Sequence, residues 1–309
     1  MAWPVITVEY WKDFAEFIRE LPPGLLWQAP YIFRGQADAE WGLLPSLLRL
    51  ATEMHVGSNY MLQIEKEVSE YFRRTISLFV ETNGKNRKNH PNVPWATMQQ
   101  YGAPTRLLDW TKSAYVAAYF AVESFWNKDG AIWMLNTSRL QSQMKKLCLA
   151  LKTLDDGLPE KFFDIKAPRE IVAFEAYETN ERIHAQQGIY TVSCQISADH
   201  GKVIDDAFKN IKAPENSFVF AKLIIPAKSK PLFLKRLQEM NISANSLFPG
   251  INGLARSVNE HVRIGFAQLG AGFNMVDRGI MWGRGIHIRH IEPSGHEKLD
   301  ENEISKHNI

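Results

Sequence analysis

Tyr31-Ile32-Phe33-Arg34-Gly35-Gln36 is the stretch from which the fold is read. Tyr31 to Arg34 has the aromatic and β-branched content of a short strand, and Gly35 ends it. An arginine set among apolar residues and glycine is held at a strand end, with its fork of donors aimed at one place. A second one follows in Tyr101-Gly102-Ala103-Pro104-Thr105-Arg106-Leu107-Leu108-Asp109-Trp110-Thr111. Two aimed arginines point to a phosphate, a carboxylate or a carbonyl-rich ligand. The competing reading is that they tie loops together through main-chain carbonyls, and the pattern leaves both open.

Outward from these stretches, helices and strands intermix. Thr7 to Glu20 reads as an amphipathic helix with Trp11, Phe14, Phe17 and Ile18 on one face, stopped by Pro22-Pro23-Gly24. Met61 to Phe79 is the clearest long helix: Met61, Ile64, Val68, Phe72 and Phe79 form its apolar face and charges fill the other. Ser113 is placed to cap a helix through Trp126, whose Ala117, Ala118 and Ala121 would let it lie close to a sheet. Strands are expected over Gly130–Leu135, Ile189–Ile196 and Ser217–Ile225. A helix is expected from about Pro231 to Met240, capped by Ser229, and another over Ser243–Val262 with a break at Pro249-Gly250. No regular β-α-β rhythm runs through the chain, so the expected class is α+β, with mixed or antiparallel sheets packed with helices. The expected division is an N-terminal helical segment over 1–27, a domain over 28–262, and an extension over 263–309 that is polar and disordered after about 292.

With 309 residues, 45% hydrophobic and 23% charged, the chain can build a sizeable core without staples. A net charge of +2 does not by itself imply nucleic acid. Cys148 and Cys194 are the only cysteines, which fits a reducing compartment; with no signal-peptide pattern and no long apolar run, the expectation is a cytoplasmic protein. The basic run Asn83 to His90 reads as a solvated loop, nucleic acid being the alternative. Gly-rich phosphate loops, paired-cysteine zinc signatures and a Gly-x-Ser-x-Gly elbow are all missing, and His287 with His290 lacks a third ligand, so no metal is expected. What remains is Arg106 and Asp109 flanked by Thr105 and Thr111, and the group Arg182-Ile183-His184-Ala185-Gln186-Gln187-Gly188-Ile189-Tyr190 just before a strand. Asp109 and Thr111 are equally readable as a partner of Arg106 and a helix cap.

Phe33-Arg34-Gly35-Gln36, followed by Trp41, Pro45-Ser46-Leu47 and Arg49, resembles the signature of the FRG domain family. Gln100 to Thr111 with Ala117-Ala118-Tyr119-Phe120-Ala121 resembles its second motif, Arg182 to Tyr190 its third, and Ser246-Leu247-Phe248-Pro249 with Gly253-Leu254 its C-terminal one. The order of Arg34, the Thr105–Thr111 segment before the alanine-rich helix, and Gln186-Gln187 is similar to that of ADP-ribosyltransferases. That resemblance implies an ADP-ribosyltransferase-like core and an NAD-dependent ADP-ribosyltransferase or NAD-cleaving enzyme in a toxin or phage-defence setting. Arg34, beside Gly35 and Gln36, would take the pyrophosphate of NAD. Trp110 or Tyr190 would wall the nicotinamide, and Thr111 and Gln187 would meet the ribose. Thr105 and Arg106, with Arg182 and Gln186, would complete the binding set. The carboxylate that stabilises an oxocarbenium-like state is left open between Asp109, Glu175 and Glu181. Two alternatives stand beside this: a non-catalytic module for a nucleotide or nucleic acid, and a protein-interaction domain in which the arginines are structural.

Overall fold

A computed structural model describes residues 4–22, 30–78, 95–144, 164–175, 180–209 and 219–269. The chain divides into two units, residues 1–264 and 265–309, and the fold below is that of the first. Its elements run β1 (Val5–Thr7), α1 (Trp11–Glu20), β2 (Tyr31–Gln36), α2 (Ser46–Glu53), α3 (Ser58–Thr75), α4 (Trp95–Gln100), β3 (Leu107–Thr111), α5 (Ala114–Val122), β4 (Gly130–Asn136) and α6 (Thr137–Gln143). They continue as β5 (Ile171–Phe174), α7 (Glu181–Gln186), β6 (Gly188–Ser193), α8 (His200–Phe208), β7 (Phe220–Ile225), α9 (Lys230–Glu239), α10 (Ala244–Leu247) and α11 (Ile251–Leu269). The strands form one seven-stranded sheet in the order β1-β7-β4-β2-β3-β6-β5. Only β1 with β7 is parallel; the other pairs are antiparallel, and the class is α+β.

Helix α5 is apolar on every side, as a helix enclosed by protein must be, and seven of its nine residues are buried. Ser113 Oγ accepts from Val116 N at 3.3 Å and starts it where the sequence places the cap. Its alanines lie so close to the sheet that a Cβ on Gly35 would meet Ala117 O at 1.9 Å, and one on Gly130 would meet Ala121 O at 2.1 Å. Phe33, Ile132, Met134 and Leu223 form the sheet side of this core, closed by Phe14 of α1 and Phe233 of α9. On the opposite face Ile32, Leu108, Trp110, Trp133 and Leu135 pack against Leu140 of α6 and Val203, Ile204 and Phe208 of α8. Leu107, Tyr190 and Val192 meet Trp95 and Met98 of α4 in a third cluster.

Several expectations are corrected. Val5–Thr7 is an edge strand, not the start of a helix, so the N-terminal segment belongs to the same sheet as the rest and residue 28 is no boundary in it. The other expected boundary, at 262, lies two residues from the division of the chain after Ile264, and both fall within α11. Leu107 to Thr111 is a strand, pairing residue for residue with β6. Helix α3 is turned relative to its apolar pattern. Met61, Glu65 and Ser69 are its buried face, while Ile64 and Val68 are 44% and 38% exposed. The reason is tertiary, because Glu65 is pulled inward by a buried arginine and Ser69 Oγ accepts from Trp95 Nε1 at 3.0 Å. Phe79, the basic run 83–90, Cys148, His287 and His290 lie outside the described residues.

Candidate functional site

The sheet is weakest at its middle. β2 and β3 share one register pair, Phe33 with Thr111, whereas β2 and β4 share six. Beyond that pair no register pair joins the two strands, and the Arg34 side chain spans this gap in the pairing, the notch, to reach β3. Its Nη1 donates to the Asp109 main-chain oxygen at 2.6 Å and lies 3.9 Å from Asp109 Oδ2. Nε is buried with no acceptor, and none of the described residues accepts from Nη2. The edge formed by Nε and Nη2, which matches a carboxylate or phosphate two bonds at a time, is therefore unused. Burial lowers the Arg34 pKa, with the Asp109 charge opposing and Arg49 adding; a guanidinium stays charged regardless. The arginine side chain is 17% exposed and the Asp109 carboxylate 54%, so the notch meets solvent. Gln99 Nε2 holds Asp109 Oδ2 at 2.9 Å.

The rest of the first motif builds the notch. Phe33 is core, Gly35 admits α5, and Gln36 bridges layers by accepting from Trp133 Nε1 at 2.6 Å and donating to Gly42 O at 3.1 Å. Gly35 and Gln36 are thus turned to protein, not to a ligand.

In the second motif Arg106 is 1% exposed. Its Nε donates to Glu65 Oε1 at 2.7 Å, Nη2 to Glu65 Oε2, and Nη1 to the oxygens of Ser193 and Cys194, with the Trp95 ring 4.8 Å away. Burial pushes the Glu65 carboxyl up, against the Arg106 bonds that pull it down. The structure thus places this expected ligand arginine in a buried ion pair. Thr105 is buried and donates to Gln99 Oε1. Trp110 faces the inner core and donates to Thr191 Oγ1 at 2.8 Å, so it forms no open wall. Thr111 donates to Gln186 O at 2.7 Å.

The third motif lies alongside. Gln186 donates to Leu247 O, and Gln187 turns into β6 in the left-handed region with φ 48°. Tyr190 is cross-strand to Asp109, its hydroxyl meets Gln100 Nε2, and burial raises its pKa. Arg182 donates to Gln100 O at 3.0 Å and stacks on Phe248. Of the expected site residues, the structure brings Arg34, Asp109 and Tyr190 together and leaves Asp109, Arg182 and Gln187 open to solvent. Glu175 is tied to Lys112. Glu181 sits in the first turn of α7.

Residues 29–130 match the family model of the FRG domain. The match takes in β2, the notch and α5, and ends on the first residue of β4. No curated protein and no solved structure matches the chain. The matched residues include Arg34, Arg106 and Asp109, while Tyr190 and Arg182 lie beyond the match.

Sequence reasoning passed over two residues. Glu65 had a signal in Met61, Glu65 and Ser69 recurring every four residues. His200 had none. It is fully buried, its Nδ1 lies 3.0 Å from Thr191 Oγ1, and its Nε2 has no partner. Burial first, then the charges of Arg34 and Arg106, push its pKa down to about 3. No cluster of three or more metal-ligating side chains occurs among the described residues. None of their helices is long and apolar enough to cross a membrane.

Proposed function

We propose that this FRG-domain chain binds NAD at the β2–β3 notch and cleaves its nicotinamide–ribose bond, passing ADP-ribose to water or to an acceptor. One observation carries the reading: the free Nε–Nη2 edge of Arg34, beside the half-open Asp109 carboxylate. The arginine edge takes the pyrophosphate. Asp109 is the carboxylate facing Arg34, and it is the group to steady the positive charge that develops on the ribose as nicotinamide leaves. It therefore replaces Glu175 and Glu181 in that role. Such chemistry suits the toxin or defence setting that the resemblance implies.

A second reading, a module that holds the dinucleotide without turning it over, is favoured by where the polar groups go. The Trp110 indole, the Thr111 hydroxyl and the Gln186 amide are all spent on internal bonds.

The deciding experiment titrates NAD calorimetrically and follows nicotinamide release for the wild type, Arg34→Lys and Asp109→Asn. Arg34→Lys keeps the charge and loses the paired edge, so it weakens NAD binding at least tenfold. Asp109→Asn keeps binding and loses release at least a hundredfold. Binding without release in the wild type selects the second reading, and wild-type affinity in Arg34→Lys removes both.

A further inference from the structure

Three side chains behind the notch make a relay whose end is unsatisfied. Trp110 Nε1 can only donate, and it donates to Thr191 Oγ1 at 2.8 Å. The Thr191 hydroxyl must then place its own proton, and His200 Nδ1 at 3.0 Å is the acceptor the structure gives it. With the Thr191 proton on that bond, Nδ1 accepts and the ring proton sits on Nε2. Nε2–H is then a donor, fully buried, with no acceptor.

Arg34 Nε–H is a second such donor. The two belong to the same side of the sheet. Strand alternation sends Ile32, Arg34 and Gln36 to the face of Trp110 and Trp133, and His200 hangs from Thr191 on that face. The same short segment ties both, since Gln36 Nε2 donates to Gly42 O while the His200 main-chain N donates to Leu43 O. Trp110, whose indole reaches Thr191 on that face, lies on the strand next to Arg34, and the Arg34 charge is among the causes that lower the His200 pKa. Two buried donors without an acceptor are each costly, and their occurrence on one face of the sheet calls for an oxygen between them.

We infer that His200 Nε2 and Arg34 Nε form a two-donor seat for one oxyanion oxygen of the ligand, a phosphodiester oxygen of a nucleotide. A neutral imidazole and a guanidinium carry one positive charge together, which matches one phosphodiester. Arg34 Nη2 meets the phosphate at the rim, Nε guides the oxygen inward, and His200 donates from behind. His200 is thus a binding residue, fixed in its tautomer by Thr191 and Trp110. This rests on the notch being the nucleotide site, and it adds a contact that the proposed function does not need.

The test uses the full-length protein labelled with 15N, with inorganic pyrophosphate and NAD as probes. The Arg34 Nε–H and His200 Nε2–H resonances, assigned by Arg34→Lys and His200→Leu, are followed through each titration. Both resonances shift together on binding, and His200→Leu, its fold checked by melting, binds each probe at least tenfold more weakly. His200→Gln, which keeps an N–H donor, recovers part of that loss. A merely structural histidine would not shift with the probe. If NAD binds through Arg34 while the His200 resonance stays still and His200→Leu binds normally, the seat holds a resident water only; this inference then fails and the proposed function stands. If neither probe binds, both fail.

Discussion

At the scale of single residues, the two arginines that look alike in sequence do opposite things. Arg106 is consumed: a bidentate carboxylate, two carbonyls and an aromatic ring use its donors and its face. Its role is to lock α3 onto β3 and β6, and removing either member of such a buried pair costs about 3–5 kcal/mol. Arg34 is left with an edge to spare. His200 has a measurable signature of its own. Its folded pKa of about 3 lies below the ordinary 6.5, so the folded protein refuses a proton that the unfolded chain accepts. Its contribution is fully present above pH 6.5 and is lost as the pH falls from there toward 3. The slope approaches about 1.4 kcal/mol per pH unit, or roughly 2 kcal/mol between pH 6.5 and 5. Chemical denaturation of the ligand-free protein across that window should show this loss, and His200→Gln should flatten it. Matching pH profiles for the two proteins would refute the assignment.

At the scale of elements, α5 on β2 and β4 is the contact that shapes the notch. Small side chains bring the helix axis near enough that Gly35 and Gly130 have no room for a Cβ. Gly35→Ala would drive a methyl into Ala117 O, and neither backbone can yield without moving the other. We expect a loss of about 3 kcal/mol or more, read as a lowered Tm together with weakened NAD binding, because Arg34 is the preceding residue. Gly102→Ala, where a Cβ meets nothing but φ is +85°, should be the milder of the two and should spare the notch. Equal melting temperatures for Gly35→Ala and wild type would show that α5 does not sit where the strands require it. Lys230 closes the same region from the other end, with Nζ donating to the oxygens of Ala37, Ser124 and Phe125.

At the scale of the whole molecule, the sheet depends on segments far apart in sequence. The family match stops at residue 130, yet β2 is held chiefly by β4, β4 by β7, and β3 by β6. A fragment of residues 29–130 would keep β2 and β3 joined by one register pair and lose β7, β6 and the cores on both faces. We expect it to show no cooperative melt and no dispersed amide spectrum, while the full chain shows both. A folded fragment would mean that the match is an independent domain. The N-terminal strand belongs to the same ledger, since β1 covers the β7 edge.

Much of this was legible in the sequence for local reasons. Ser113 caps α5 because a side-chain oxygen near a free helix N–H needs nothing distant. The break at Pro249-Gly250 separates α10 from α11 because neither residue suits a helix interior there. Strands β2, β4, β6 and β7 carry their composition openly, and so does the intermixed order that defines an α+β fold. The family motifs also include Arg34, Asp109 and Tyr190, which the structure brings together. Which groups in that neighbourhood stay free was decided only in three dimensions. Trp110 on β3 and Arg106 just before it find acceptors at Thr191, Ser193 and Cys194, and Arg106 also at Glu65 of α3. Ile64 and Val68 were left outside because Glu65 had an arginine to reach. Local pattern fixes what a segment can be. The pairing of distant strands decides which buried polar atoms find partners, and Arg34 Nε and His200 Nε2 are two that do not.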